Sequence, residues 1–194
     1  NGTVQFSTTL LNSYTDLTYN LDSQSVPFIV AAGGGTIDTN GQSVGFSNPI
    51  SGFGNLTVQS SAPNGYLALT SSPNFNGSLT VNSGELALAG IYKYSGPTTI
   101  NSTMQLASGA ILGNTAITVN SGGLLYATGN SIGAGSASLS ILAGGTFSLQ
   151  NGLLDTVTLN PIGSGTATVL TVGSVAGAGN LDFDLSQLGA DELV

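Results

Sequence analysis

The sequence contains no cysteine, tryptophan, histidine or arginine, and Lys93 is its one cationic side chain. Each absence removes a class of chemistry. Without cysteine there are no disulfides and no thiolate metal sites, so stability has to come from packing alone. Without histidine a nucleophilic triad lacks its usual base. A solitary cation argues against nucleic acid, whose phosphates need clustered Lys and Arg. The same shortage argues against a basic patch for anionic membranes. Charged residues make up 5% of the chain, against about 25% in a typical soluble protein. The surface must then be built from Ser, Thr, Asn, Gln and Gly, which suits sheets better than amphipathic helices. No apolar run approaches the ~18 residues of a membrane helix, so no membrane span is expected.

What remains is a chain of 194 residues, 40% hydrophobic, with a net charge of −8. That is enough for one domain with a sizeable core. A short phrase recurs along it. Val81-Asn82-Ser83-Gly84-Glu85-Leu86 returns as Ile100-Asn101-Ser102-Thr103-Met104-Gln105-Leu106, then as Val119-Asn120-Ser121-Gly122-Gly123-Leu124. It returns once more, loosely, as Ile141-Leu142-Ala143-Gly144-Gly145-Thr146-Phe147. The first two steps are 19 residues and the third is 22. A period near 20, made of short apolar-polar-apolar segments and Gly/Asn/Ser turns, predicts an all-β solenoid with one coil per repeat. At about 20 residues per coil the chain would make about nine coils. Val81, Ile100, Val119 and Ile141 are expected to stack inward in one column. Asn82, Asn101 and Asn120 would stack outside as an amide ladder, with Ser83, Ser102 and Ser121 beside them. The alternative for Asn-Ser-Gly is plain turn chemistry. Asn-Gly pairs at Asn40, Asn64, Asn76 and Asn151 are also compatible with hairpins, which makes an antiparallel sandwich the competing fold.

Residues 1–32 read differently from the rest. Val4, Phe6 and Leu10, then Leu17, Tyr19 and Leu21, alternate at period two, and Phe28–Ala32 is a compact apolar run. The segment is expected to be an N-terminal strand segment, acting as a cap or an inter-subunit strand, with the solenoid repeat domain over 33–194. No initiator Met and no charged, apolar leader is visible. Strand-like residues at 181–185 and 191–194 suggest a piece of a longer chain.

Gly33-Gly34-Gly35-Thr36-Ile37-Asp38-Thr39-Asn40-Gly41, Ile50-Ser51-Gly52-Phe53-Gly54-Asn55-Leu56-Thr57 and Tyr94-Ser95-Gly96-Pro97-Thr98-Thr99-Ile100-Asn101 occur in that order. Together they resemble the autotransporter-associated β-strand repeat of bacterial surface proteins, closely over residues 30–106 and more loosely to 181. The resemblance implies a right-handed parallel β-helix, exported and displayed outside the cell. The repeat is scaffold and brings no catalytic residues. Nothing in the sequence resembles the C-terminal membrane barrel of that group.

Candidate sites are sparse. Asp182 and Asp184 are the one closely spaced carboxylate pair on a strand, and a glycosidase would need two acids on one face. A solvated outer face explains them better. Gly33–Asp38 weakly resembles the Gly-Gly-x-Gly-x-Asp of calcium-binding β-rolls, with Thr36 where Gly is needed. Asp191-Glu192 could meet an ion, or simply form an acidic end. Asn1, Asn55, Asn76 and Asn101 open glycosylation sequons, as chance allows in such a composition. Tyr66, Tyr92, Tyr94 and Tyr126 would form either a sugar-stacking strip or packing. Residues 127–138 are the longest loop candidate and consist mostly of small residues.

No catalytic residue, cofactor or metal is expected. The function expected is a non-catalytic extracellular structural β-solenoid, a building block of a surface fibre, filament, stalk or sheath. The alternative is an adhesin passenger domain binding a cell surface or polysaccharide. The expected partner is the chain itself, as a head-to-tail homopolymer or tandem modules.

Overall fold

The computed structural model describes residues 2–6, 15–16, 27–72, 74–113, 115–127, 131–132, 138–149, 156–159, 169–183, 185–186, 189–190 and 192–193. Over these residues it is all-β, with no helix, and its long sheets are parallel. The chain winds as a β-solenoid. One eight-stranded sheet runs Gly2–Gln5, Gly35–Asp38, Leu56–Gln59, Leu79–Val81, Thr98–Ile100, Ile117–Val119, Ser138–Ile141 and Val169–Val172. A second runs Thr15–Asp16, Ser43–Phe46, Tyr66–Leu69, Glu85–Leu88, Thr103–Leu106, Leu124–Ala127, Thr146–Ser148 and Asn180–Asp182. Residues 79–88 pair with 98–106 in parallel throughout, which rules out the antiparallel sandwich. The described exceptions to parallel pairing are small: Leu185–Ser186 with Gly189–Ala190, and a bridge between Ser174 and Gly177.

Each long sheet has eight strands, one fewer than about nine coils would give. Coil length is not uniform. Leu79, Thr98 and Ile117 follow one another at 19 residues, but Leu56 to Leu79 is 23, Leu139 to Leu170 is 31 and Gly2 to Gly35 is 33. Longer coils consume chain without adding strands.

A third face completes the coil. It is made by Phe28–Val30, Ile50–Gly52 and Asn74–Phe75, and then by Ile91–Tyr92, Ile111–Leu112, Ser131–Ile132, Thr156–Leu159 and Glu192–Leu193. Most of these strands have only two or three residues, too short to show alternation in the sequence. Within residues 1–32, Gly2–Gln5 pairs in register with Gly35–Asp38 and Phe28–Val30 with Ile50–Gly52. The described parts of that segment therefore lie in the same sheets as the later coils. Leu10, Leu17, Tyr19 and Leu21 lie outside the described residues.

The core follows from register. Val81, Ile100, Val119 and Ile141 are successive partners, and all are fully buried. Val44, Leu67, Leu86, Met104, Leu125 and Phe147 make the facing column from the second sheet, also fully buried. Each buried aliphatic side chain contributes about 1.5–3 kcal/mol of transfer free energy, and every one packs against the coils on both sides of it. The rings of Phe75, on the third face, and Tyr94 pack at 5.0 Å.

Among the described residues, polar side chains also enter the interior, Thr98 and Thr115 being fully buried. Thr98 occupies the column of Leu79 and Ile117 and is fully buried. Its Oγ1 lies 2.6 Å from the Tyr94 hydroxyl and 2.8 Å from Thr115 Oγ1, and Thr115 Oγ1 donates to the Gly96 carbonyl at 2.7 Å. A carbonyl only accepts, so the proton order is set: Tyr94 donates to Thr98, Thr98 to Thr115, and Thr115 to Gly96. Burial pushes ionisation of the Tyr94 hydroxyl upward, against the lowering effect of its bond to Thr98. The phenol therefore stays protonated and donates.

Candidate functional site

The first sheet turns a strongly regular face to solvent. Thr3, Thr36, Thr57, Thr80, Thr99, Thr118, Ser140 and Thr171 are register partners from coil to coil. None of them is buried. The strand pleat explains this column: Thr57, Thr80, Thr99, Thr118 and Ser140 each sit between two buried positions, as in Leu79-Thr80-Val81. Two residues further along lies a second column, Gln5, Asp38, Gln59, Asn82, Asn101 and Asn120, placed by the same register.

Hydrogen bonds run along that second column. Asn120 Nδ2 donates to Asn101 Oδ1 at 2.6 Å, and Asn101 Nδ2 approaches Asn82 Oδ1 at 3.5 Å. Beside them Ser83 Oγ donates to Ser60 O at 2.9 Å, and Ser102 Oγ to Gly84 O at 2.7 Å. Side chains thus repeat the along-axis bonding of the strand backbones. Gly144 approaches Ser121 closely, a Cβ there falling 2.7 Å from Ser121 Oγ.

Asp38 is the charged member of the column and is 3% exposed. Its carboxylate accepts from Ser61 N at 2.9 Å, Asn40 N at 3.0 Å, Gln5 Nε2 at 3.0 Å, Ser61 Oγ at 3.1 Å and Gln59 Nε2 at 3.4 Å. Burial raises its pKa, but the backbone donors Ser61 and Asn40 and the side-chain donors outweigh that, leaving it below the usual carboxylate value. Five hydrogens directed at two oxygens make an anion cradle, the reverse of a calcium ligand set. This is the Asp of the Gly33–Asp38 phrase. Among the described residues no three acids come together in a way that could hold a metal ion.

The other candidates separate. Asp182 lies at the end of Asn180–Asp182, half-buried, and its carbonyl accepts from Leu149 N at 2.9 Å. Asp184 and Asp191 lie outside the described residues, so neither acid pair has a described geometry. Tyr92 and Tyr94 are buried, and Tyr92 donates its hydroxyl to the Leu69 carbonyl at 2.6 Å. Tyr66 and Tyr126 sit on the second sheet, Tyr66 beside Glu85 and Tyr126 beside Gln105. The four tyrosines therefore form no common strip. The sequon residues act within the solenoid: Asn55 Oδ1 accepts from Ser78 N at 3.1 Å, Asn76 Oδ1 accepts from Ser95 Oγ at 3.2 Å, and Asn101 is in the ladder. Asn1 lies outside the described residues. Of loop 127–138, the described part includes the strand Ser131–Ile132.

Two grooves open at the start of the solenoid. One, of ≈ 320 Å³, is apolar and lies beside Val4, Phe28, Ile29 and Leu56. The other, of ≈ 290 Å³, runs between Thr36, Thr57 and Thr80 on one side and Asn55 and Ser78 on the other, with Gly33, Gly34 and Gly35 at one end. No charged residue lines it. The hydroxyl face was missed in the sequence because Thr is common throughout the chain. Its signal is the phrase Thr-x-Asn/Gln/Asp, at Thr3, Thr36, Thr57, Thr80, Thr99 and Thr118.

Comparison with known protein families, with curated proteins and with solved structures gives no match. No helix among the described residues is long and apolar enough to cross a membrane.

Proposed function

We propose that this chain is a non-catalytic structural module, a solenoid segment of a bacterial surface fibre, stalk or sheath, exported from the cell. The observation that carries the reading is the continuity of the ladders. Eight strands of one sheet stay in register while the core column beneath and the polar columns above repeat in step. Such a rod is stabilised by nearest-neighbour interfaces spread along its length, so it serves as a spacer that can be extended by further coils. The resemblance of residues 30–106 to the autotransporter-associated repeat supports export and surface display. Self-association, head to tail or as tandem modules, belongs to the same reading.

The test is negative-stain electron microscopy and light scattering of the purified chain at rising concentration. Rods that join end to end support the proposal. Compact particles that stay monodisperse at the highest concentration overturn its assembly part. A second reading, an adhesin passenger domain for a cell surface or polysaccharide, is favoured by one observation: the uncharged groove beside the hydroxyl column.

A further inference from the structure

We infer that the groove between Thr36, Thr57, Thr80 and the Asn55–Ser78 column binds a strand of neutral, β-linked polysaccharide laid along the solenoid axis; the inference rests on the adhesin reading and specifies its ligand. Four observations converge on this chemistry.

The first is shape. The groove is a trough of ≈ 290 Å³ that crosses three successive coils, so it suits a linear polymer better than a compact small molecule. It is also local. Two residues before Thr99 and Thr118, the flanking column changes to Pro97 and Ala116, which carry no side-chain polar group.

The second is period. Successive threonines are ~4.8 Å apart along the axis, the spacing of paired strands. An extended β-linked glycan advances by a similar distance per sugar, so each residue can meet an equivalent hydroxyl. The third is functional-group type. Threonine hydroxyls donate and accept, matching sugar hydroxyls, while their methyls face the sugar C–H surface. These groups are held in advance: χ1 of threonine is stiff, and Asn55 has its amide fixed by the bond from Ser78 N at 3.1 Å. Little ordering entropy is then lost on binding.

The fourth is charge. The trough has no charged lining residue, and the chain carries −8 with one cation. An acidic glycan would meet repulsion and no counter-charge, whereas a neutral one meets neither.

The experiment is isothermal titration calorimetry of the full chain with cellohexaose, with hexagalacturonate as the acidic counterpart. Cellohexaose is expected to bind and hexagalacturonate not to. The double variant Thr57→Val/Thr80→Val should weaken binding by about tenfold with an unchanged thermal melt. Thr118→Val, on the same column but beyond the trough, should leave affinity unchanged. The inference is overturned if cellohexaose gives no binding, if hexagalacturonate binds as well, or if Thr118→Val weakens binding as much as the double variant. None of these outcomes bears on whether the chain forms rods, which microscopy decides separately.

Discussion

The side-chain amide of Asn120 donates to Oδ1 of Asn101 at 2.6 Å, across one 19-residue coil. The same atoms in a turn would bond to their own backbone a residue or two away. Here they bond along the axis instead, so Asn101 accepts from the coil above while its Nδ2 points to Asn82 below. Asn101→Ala removes a bond on each side and should cost about 1–2 kcal/mol. Asn82→Ala breaks only the longer contact and should cost less. Urea denaturation of the two variants checks the order; equal midpoints would mean the ladder contributes nothing.

A buried anion predicts acid sensitivity at one place. The Asp38 pKa is lowered in the folded state by donors from Ser61, Asn40 and Gln59, against the raising effect of burial. A lowered carboxylate pKa means the unfolded chain binds the proton more readily. The stabilisation is therefore complete above the unfolded value near 3.8 and is lost as pH falls through the lower folded value. Asp38→Asn should remove this acid-side dependence and destabilise the protein at pH 7 by about 1–3 kcal/mol, because Asn cannot accept from all the donors. Melting temperature against pH for both proteins is the check. A parallel pair of curves would show that Asp38 is not the group responsible.

Backbones of successive coils approach so closely at Gly54, Gly77 and Gly96 that a Cβ has no room at these positions. A Cβ on Gly77 would lie 1.9 Å from the Gly54 carbonyl oxygen, and one on Gly96 would lie 2.3 Å from that of Gly77. Glycine is needed at Gly77 and Gly96 for space. Gly109 differs: its φ is +79° and a Cβ would meet nothing within 4 Å. Gly77→Ala should cost more than about 3 kcal/mol, since the clash is with backbone. Gly109→Ala should cost about 1–2 kcal/mol, the strain of a left-handed Ala. Chemical denaturation separates the two; a mild Gly77→Ala would show that the coils can slide apart.

Much of this fold was legible because its period is short and its chemistry repeats. Val81-Asn82-Ser83 and its returns located two strands per coil, the core column and the polar column, since a parallel coil places equal phrases above one another. The third strand per coil was legible at Val157–Leu159, within Thr156–Leu159, and not in the shorter strands. Ile91–Tyr92 and Ile111–Leu112 are two residues long, and two residues cannot display a period. Coil number was overestimated for a related reason: the repeat of 19 holds for Leu79 to Ile117 but not for the coil from Leu139 to Leu170. The anion cradle of Asp38 was also hidden. Its donors come from residues 5, 40, 59 and 61, and only the register brings them together.

The Tyr94–Thr98–Thr115 relay gives the last prediction. All three hydroxyls are buried, and their protons run one way, toward the Gly96 carbonyl. Removing one member leaves a neighbour short of a partner. Thr98→Val strands the Tyr94 donor and takes from Thr115 the proton it accepts, so it should cost about 2–3 kcal/mol. Tyr94→Phe removes the first donor only, and Thr98 still donates to Thr115, so the cost should be about 1 kcal/mol. The double variant Tyr94→Phe/Thr98→Val removes the stranded phenol along with the threonine hydroxyl. It also returns the column to the apolar pattern of Leu79 and Ile117. Its destabilisation should therefore be smaller than that of Thr98→Val alone. A double-mutant cycle by urea denaturation measures this. Additive costs would mean that the two hydroxyls act independently and that the relay has no directional order.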